Sequence, residues 1–225
     1  GNDFKKFLGK LKSTGFQASH LGHAIEIAKK MREEGVAIFL GFTSNMISSG
    51  VRESITYLTK NKMIHAIVTT AGGVEEDIIK TRKNFILGDF RLDGAELRSK
   101  GINRIGNILV PNDRYVAFEK IFQKLLAELH DEQKKTGKIT TPSEICRRLG
   151  AIANESSYLY WAARNNIPVF CPGITDGAIG DNIFFFKAEH PDFKLDVSDD
   201  VVKLEDIVMD AKATGAIILG GSLPK

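Results

Sequence analysis

Apolar and polar residues alternate along the chain in blocks that predict an α/β protein. Short continuous apolar runs at residues 36–42, 66–70, 167–171 and 216–219 are typical of strands buried on both faces of a parallel sheet. The stretches between them carry apolar residues at the helical period. We therefore predict a Rossmann-like parallel sheet with flanking helices, formed by residues 1–225 as a single domain.

Helix signals are strong in two places. Thr141-Pro142-Ser143-Glu144 is a capping box with proline at the first helical position. Beginning at Asn112 or Asp113, apolar residues follow the helical period as far as Leu129. Further helices are predicted at 20–34, 52–60, 142–153, 158–164 and 199–212, and another is opened by Glu75. We also predict an irregular stretch at 88–107 and a linker at 133–140. The run Phe184-Phe185-Phe186 is expected in the core or at a subunit interface.

The segment AIVTTAGGVEED, residues 66–77, predicts a binding site at the end of one strand. The strand runs into Thr70, and we expect a turn at Gly72-Gly73 followed by a helix start. Glycines allow backbone amides to approach a ligand closely, and the first amides of a helix point towards it. Three carboxylates then fall within one helical turn, at Glu75, Glu76 and Asp77. The pattern predicts a polar cofactor held by the backbone and a cation held by carboxylates.

Small, hydroxyl and acidic residues follow all four predicted strands. In an open parallel sheet ligands bind at the carboxyl ends of the strands, so these residues are expected to share one crevice. Turns favour the same residue types for conformational reasons, and for any single strand that explanation is the stronger. The agreement of four strand ends favours a site. The residues are Thr43, Ser44, Asn45 and Ser48; Thr70, Ala71, Gly72, Glu75 and Glu76; Thr175, Asp176, Gly177 and Asp181; and Gly220, Gly221 and Ser222.

Known phosphate-binding motifs are missing from these strand ends. The sequence contains neither the dinucleotide fingerprint GxGxxG nor a P-loop. If NAD binds here, its phosphates must use Ser44, Asn45, Ser48 and the amides of residues 70–72, which would make the protein a variant of the standard Rossmann dehydrogenase.

Composition narrows the function classes. A net charge of +3 without a basic stripe argues against a nucleic-acid partner. No run approaches the ~20 apolar residues of a membrane span. Cys146 and Cys171 lack CxxC spacing, so reduced thiols and a cytoplasmic location are expected. The histidines form no HExxH pattern and no GxSxG is present, so neither a metal site nor a hydrolase is predicted.

Five blocks of the sequence carry a resemblance to a known family. With matching spacing from about residue 15 to residue 225, the chain resembles deoxyhypusine synthase, and the final GGSLPK is closer to the archaeal branch. The blocks are GFTSNMISSGVRE (41–53), VTTAGGVEED (68–77), GINRIGNILVPN (101–112), ITDGAIGD (174–181) and AIILGGS (216–222).

The resemblance implies a reaction, a cofactor and partners. It implies NAD-dependent transfer of the 4-aminobutyl group of spermidine to one lysine of the precursor of translation initiation factor 5A, the first step of hypusine biosynthesis. An enzyme lysine would carry the group as a Schiff base, a common form of covalent catalysis. The family is a homotetramer with active sites between paired subunits.

The resemblance also assigns residues. Those that would contact NAD are Ser44, Asn45, Ser48, Thr70, Ala71, Gly72, Glu76, Asp176 and Gly221. Those that would face the polyamine are Glu75, Glu76 and Asp181. This agrees with the residue chemistry, because a buried polycation requires paired, hydrogen-bonded carboxylates.

One part of the family pattern is expected outside these residues. The catalytic lysine lies in a Ser-Trp-Gly-Lys segment, which we expect beyond Lys225, so no catalytic residue is assigned within the chain. Three explanations are open: a sheet incomplete at its C-terminus and completed by a C-terminal fragment or separate chain, a truncated chain, or a non-catalytic NAD-binding or regulatory subunit. We favour the first, since a parallel sheet that stops after Leu219 has an apolar edge. A homospermidine synthase-like relative, with a small amine as acceptor, is a further alternative.

Overall fold

The computed structural model describes residues 2–225 and contains two sheets. A four-stranded parallel sheet has the order β6-β2-β1-β7, and a three-stranded antiparallel sheet has the order β3-β5-β4. The strands are β1 Ala37–Phe42, β2 Ala66–Thr69, β3 Ile86–Leu87, β4 Ile102–Ile105, β5 Ile108–Pro111, β6 Val169–Phe170 and β7 Thr214–Leu219.

Helices connect and cover these strands. They are α1 Asn2–Lys10, α2 Phe16–Glu33, α3 Ser44–Ser48, α4 Val51–Lys60, α5 Ala71–Lys80, α6 Gly94–Ser99, α7 Asn112–Thr136, α8 Pro142–Ile152, α9 Tyr158–Asn165, α10 Gly177–Glu189 and α11 Ser198–Asp210, with a 3₁₀ turn at Leu11–Ser13. The predicted α/β fold with a parallel sheet and flanking helices is confirmed.

The parallel sheet brings the four predicted strand ends side by side. Phe42 lies opposite Thr69 of β2 and Leu219 of β7, so the three strands finish at the same level. Leu40, Phe42 and Ile67 are fully buried, as expected for strands covered on both faces. Within the described part of the chain β7 pairs only with β1, and its Ile218 is 43% exposed.

Half of the stretch predicted to be irregular lies in regular elements. Residues 88–107 contain α6 and β4, and a two-residue turn that begins at Gly106 joins β4 to β5. Gly106 has φ +61°, a conformation that glycine adopts without strain. Asp93 caps α6 by accepting a hydrogen bond from the amide of Glu96 at 2.7 Å. These elements are too short to show a hydrophobic period, which explains why the prediction was wrong.

Two predicted helices are confirmed with small corrections. α7 begins at Asn112 as expected, but it continues to Thr136 and ends where Gly137 takes φ +75°, so the linker predicted at 133–140 is half helical. α8 begins at Pro142, and the hydroxyl of Thr141 accepts from the amide of Glu144 at 3.3 Å. The carboxylate of Glu144 binds Arg147 and Arg148 instead of completing the capping box.

α10 is a helix that the sequence pattern did not predict. Its run of three phenylalanines covers more than one face, which hides the helical period. Phe186 is buried in the core, whereas Phe184 and Phe185 are 69% and 61% exposed. The core alternative is therefore confirmed for Phe186, and an interface position for Phe184 and Phe185 stays a prediction.

None of the helices within residues 2–225 combines the length and the apolar character needed to cross a lipid bilayer.

We predict that Gly150→Ala lowers the free energy of unfolding by roughly 1–3 kcal/mol, because the added methyl group overpacks a close helix contact. A Cβ at Gly150 of α8 would lie 2.8 Å from the carbonyl carbon of Leu159 in α9 and closer still to its oxygen. Denaturant unfolding measures the effect. Gly94→Ala, at an open position, is the control. Equal unfolding midpoints for the two variants would contradict this view of the α8–α9 contact.

Candidate active site

The first turn of α5 forms the centre of the predicted site. The helix begins at Ala71, directly after its N-cap Thr70, so Gly72 and Gly73 lie within the helix and the predicted Gly-Gly turn is wrong. The glycines serve packing instead. A Cβ on Gly72 would lie 2.7 Å from the Cβ of Ser44, and one on Gly73 would collide with the hydroxyl of Thr69. Their absence of side chains allows α3 and β2 to approach α5 closely.

Thr70 presents an unused hydroxyl group at this helix start. Its Oγ1 is buried and has no hydrogen-bond partner in the described structure, and its side chain does not cap the helix. The first amides of a helix also lack intrahelical acceptors. A buried hydroxyl without a partner is costly, so this corner fits a polar ligand group.

The short helix α3 lies against α5. The hydroxyl of Ser48 donates to Oε2 of Glu76 and also contacts the carbonyl oxygen of Ser44 at 3.2 Å. Asn45 is exposed, and its Oδ1 accepts a hydrogen bond from the hydroxyl of Thr43. Ser44, Ser48, Gly72 and Glu76 are therefore contiguous, as the sequence predicts.

The neighbouring carboxylates of Glu75 and Glu76 point to different partners. Glu76 contacts Ser48, whereas Oε2 of Glu75 accepts the amide of Ile179 at 2.8 Å, in the first turn of α10. Gly177 has φ +62°, and a Cβ there would lie 2.7 Å from Oε1 of Glu75. A side chain at position 177 would therefore displace this carboxylate, and the positive φ also favours glycine there.

A cavity of about 560 Å³ opens beside Glu75. Glu75, Gly177 and Asp181 line it. The cavity therefore contains Glu75 and Asp181, two of the three acids predicted to face the polyamine. Asp181 is exposed to solvent. The sequence reasoning missed several further lining residues, among them Asn103, Asn112, Tyr115 and Glu119. The first two lie in the block 101–112 quoted above, and the last two are one helical turn apart on α7, a spacing that marks a shared face.

Burial raises the pKa of both central carboxylates. Glu75 and Glu76 are each 5% exposed. Desolvation raises the pKa of Glu75 to about 7, although hydrogen bonds from two amides of α10 act in the opposite direction. Desolvation raises the pKa of Glu76 to about 8, and the nearby charge of Glu75 adds to the effect. The site can therefore exchange protons near neutral pH.

The third carboxylate of the segment faces away from the cavity. Asp77 is fully buried, and its Oδ1 pairs with Nε of Arg52 at 2.6 Å. Its Oδ2 accepts from the hydroxyl of Ser157 and the amide of Leu159. Asp77 thus ties α5 to α4 and α9, and it supports the site without lining it.

The remaining predicted residues lie at the ends of the third and fourth strands. Asp176 caps α10, and its charge contributes to the raised pKa of Glu75. Gly220 has φ +95°, and a Cβ there would lie 2.7 Å from Oγ1 of Thr43, so the ends of β7 and β1 are in contact. A Cβ on Gly221 would meet no atom within 4 Å, which leaves open space beside this backbone.

Within the part of the chain that the structure describes, a second cavity and the metal-binding side chains provide no competing site. A cavity of about 390 Å³ between α8, α9 and α11 contains none of the predicted residues. Lys203, which lines it, and the nearby Asp200 hold Ser143 at the start of α8, which is a structural role. Among residues 2–225 no group of three or more metal-binding side chains is placed to hold an ion.

Comparison with known proteins identifies the family. The family model for deoxyhypusine synthase matches residues 6–225. The chain belongs to this family. A probable deoxyhypusine synthase of Methanocaldococcus jannaschii is 54% identical over 98% of this chain and 71% of that protein. The homospermidine synthase of Senecio vulgaris is 48% identical over 100% of this chain and 68% of that protein.

A solved structure supports the fold as well. The crystal structure of a putative deoxyhypusine synthase from Entamoeba histolytica has a TM-score of 0.77 and 28% identity, and the match covers 97% of this chain and 76% of that one. The resemblance noted in the sequence is thus confirmed, and the protein belongs to a family of transferases.

We predict that the free energy of unfolding falls as the pH rises from about 4.5 to 8, because folding raises the pKa of Glu76 from 4.5 to about 8. In that window the folded chain holds more protons than the unfolded chain, so stability is present below the lower value and is lost towards the upper one. Glu76→Gln, which mimics the protonated acid, should flatten the profile. Urea unfolding at several pH values measures this.

Glu128→Gln on the exposed face of α7 is the control for the pH profile. A Glu76→Gln chain with the same slope as the unaltered chain would show that Glu76 titrates normally.

Proposed function

We propose that this chain is a deoxyhypusine synthase, or its N-terminal part, which binds NAD and spermidine for transfer of the 4-aminobutyl group to a lysine of the precursor of translation initiation factor 5A. Family membership and the two-part site at the start of α5 support this proposal. The observation that carries it is the divergence of Glu75 and Glu76, because one carboxylate faces the α3 side and the other faces an acidic cavity.

The α3–α5 junction fits NAD. The unpartnered hydroxyl of Thr70 and the open backbone at Gly221 provide room and hydrogen bonds for a polar ligand. We propose that the cofactor contacts are those assigned from the sequence: Ser44, Asn45, Ser48, Thr70, Ala71, Gly72, Glu76, Asp176 and Gly221. When bound, NAD supplies a hydride acceptor for oxidation of an amine carbon.

The cavity beside Glu75 fits a polyamine. Glu75, Glu119 and Asp181 give it a negative lining, and Asn103 and Tyr115 add polar groups. A polycation is stabilised there by charge-assisted hydrogen bonds. We propose Glu75, Glu76 and Asp181 as the substrate-binding acids.

The raised pKa values of Glu75 and Glu76 allow these acids to act in proton transfer as well as in binding. In the absence of a bound cation, Glu75 and Glu76 hold protons near neutral pH because they are desolvated. A bound ammonium group favours their ionised forms, so substrate binding releases protons from them. Each acid can then accept a proton from an amine that must be neutral to react.

The assembly and location are proposals of the same kind. We propose a cytoplasmic homotetramer, or a hetero-assembly in which a C-terminal fragment adds the catalytic lysine. The exposed Phe184 and Phe185 of α10 and the open edge of β7 support further protein contacts, since large exposed apolar groups often mark interfaces.

A second candidate function is aminobutyl transfer to a small amine. The 48% identity to a homospermidine synthase supports this second candidate. Product analysis of the assembled enzyme with NAD and spermidine distinguishes the acceptors. We expect labelled aminobutyl groups on the precursor protein, whereas labelled homospermidine formed from putrescine, with unlabelled precursor, would reverse the assignment.

We predict that Glu75→Gln and Asp181→Asn each weaken spermidine binding roughly tenfold or more, because each removes one charge-assisted hydrogen bond. NAD affinity should stay within about twofold, since neither carboxylate belongs to the α3 junction. In the unaltered chain spermidine affinity should rise from pH 6 to pH 8. Titration calorimetry with each ligand measures these constants.

The exposed Glu128→Gln variant is again the matched control. Unchanged spermidine affinity in both site variants would refute the polyamine assignment, whereas loss of both ligands together would indicate general damage to the fold.

A further inference from the structure

The short helix α3 cannot be stable by itself. It has five residues, Ser44–Ser48, and isolated helices of this length do not form in water. The carbonyl groups of its last turn have no intrahelical partners. Because α3 carries Ser44, Asn45 and Ser48, its position decides where three of the proposed cofactor contacts lie.

The ammonium group of Lys80 closes the end of this helix. Its Nζ donates to the carbonyl oxygens of Ile47 at 2.7 Å, Ser48 at 2.6 Å and Ser49 at 3.2 Å. A positive charge at the carboxyl end of a helix also interacts favourably with the helix dipole. The contact therefore combines three hydrogen bonds with a charge of the preferred sign.

Lys80 and Glu76 act on α3 from one face of α5. They are four residues apart, which places them on the same side of the helix. Glu76 accepts a hydrogen bond from the hydroxyl of Ser48, and Lys80 donates to the carbonyl oxygens of residues 47–49. Two tethers from one rigid helix fix both the distance and the rotation of α3.

The surroundings of Lys80 hold its side chain in place. Glu53, Glu76 and Asp77 attract its charge, whereas burial and Arg52 lower its pKa. The Nζ also lies 5.1 Å from the centre of the Phe85 ring. Since all three ammonium hydrogens have carbonyl acceptors, Lys80 is not available as a nucleophile.

We propose that Lys80 is a positioning residue for the cofactor, which sets α3 against the first turn of α5 by holding the three carbonyls at its end. The proposal rests on the proposed NAD site for its functional consequence. It concerns a residue that is not one of the proposed NAD contacts and does not line the acidic cavity.

The test compares Lys80→Met, which keeps the length of the side chain but removes its charge and donors, with the unaltered full chain. Without ligand, we expect faster amide hydrogen exchange at residues 46–49 and unchanged exchange in α4. With ligand, we expect the Kd for NAD to rise roughly tenfold or more, because misplaced contact groups lose binding energy. Spermidine affinity should change little. Circular dichroism confirms that the variant is folded.

Three further variants complete the design. Lys83→Met is the matched control, since Lys83 forms only an exposed pair with Asp113. Lys80→Arg keeps the charge and donors and should restore most of the NAD affinity, which a loss of packing alone would not allow. If Lys80→Met does not fold, Lys80→Gln replaces it under the same criteria.

The outcomes separate the two proposals. Unchanged exchange at residues 46–49 in a folded Lys80→Met or Lys80→Gln chain overturns the positioning role. Failure of the unaltered chain to bind NAD overturns the proposed cofactor, while the exchange measurement still decides whether Lys80 fixes α3. Faster exchange with unchanged NAD affinity refutes the functional half of the inference.

Discussion

The close approach of α3 to the first turn of α5 is the constraint on which the rest of this site depends. It is possible only because Gly72 has no side chain, since a Cβ there would lie 2.7 Å from the Cβ of Ser44. Once the two helices touch, Ser48 reaches Glu76 and Lys80 reaches the end of α3. Burial of the Glu76 carboxylate and its raised pKa follow from the same packing.

Opposed roles within one short segment explain how α5 can be both buried and reactive. Asp77 is neutralised by Arg52 and by hydrogen bonds from α9, so it anchors the helix. Glu75 and Glu76 have no such cationic partner in direct contact among the described residues. A buried charge without a partner is costly. Burying these two acids therefore lowers the free energy of unfolding, and a bound cation can ionise them.

The sequence predicted the parallel sheet and the crevice well, because both depend on patterns that repeat over many residues. Four strand ends with Thr70, Asp176, Gly221 and their neighbours pointed to the same edge, and the structure places them there. The sequence did not predict the α7 side of the acidic cavity, since Tyr115 and Glu119 reach it only through the packing of α7. The turn predicted at Gly72-Gly73 is wrong because glycine is required at position 72 by a tertiary contact with Ser44, and not by the local backbone conformation.

Successive positions on α5 send Glu75 and Glu76 to opposite partners, while their charges still interact. Each acid therefore senses the ionisation of the other. A ligand that strips the proton from one acid makes the second harder to ionise, and a cation placed near both removes that penalty. By thermodynamic reciprocity, whatever this coupling does to the affinity of one ligand it does equally to the affinity of the other. Two adjacent side chains thus couple the affinities of the two proposed ligands to each other and to pH.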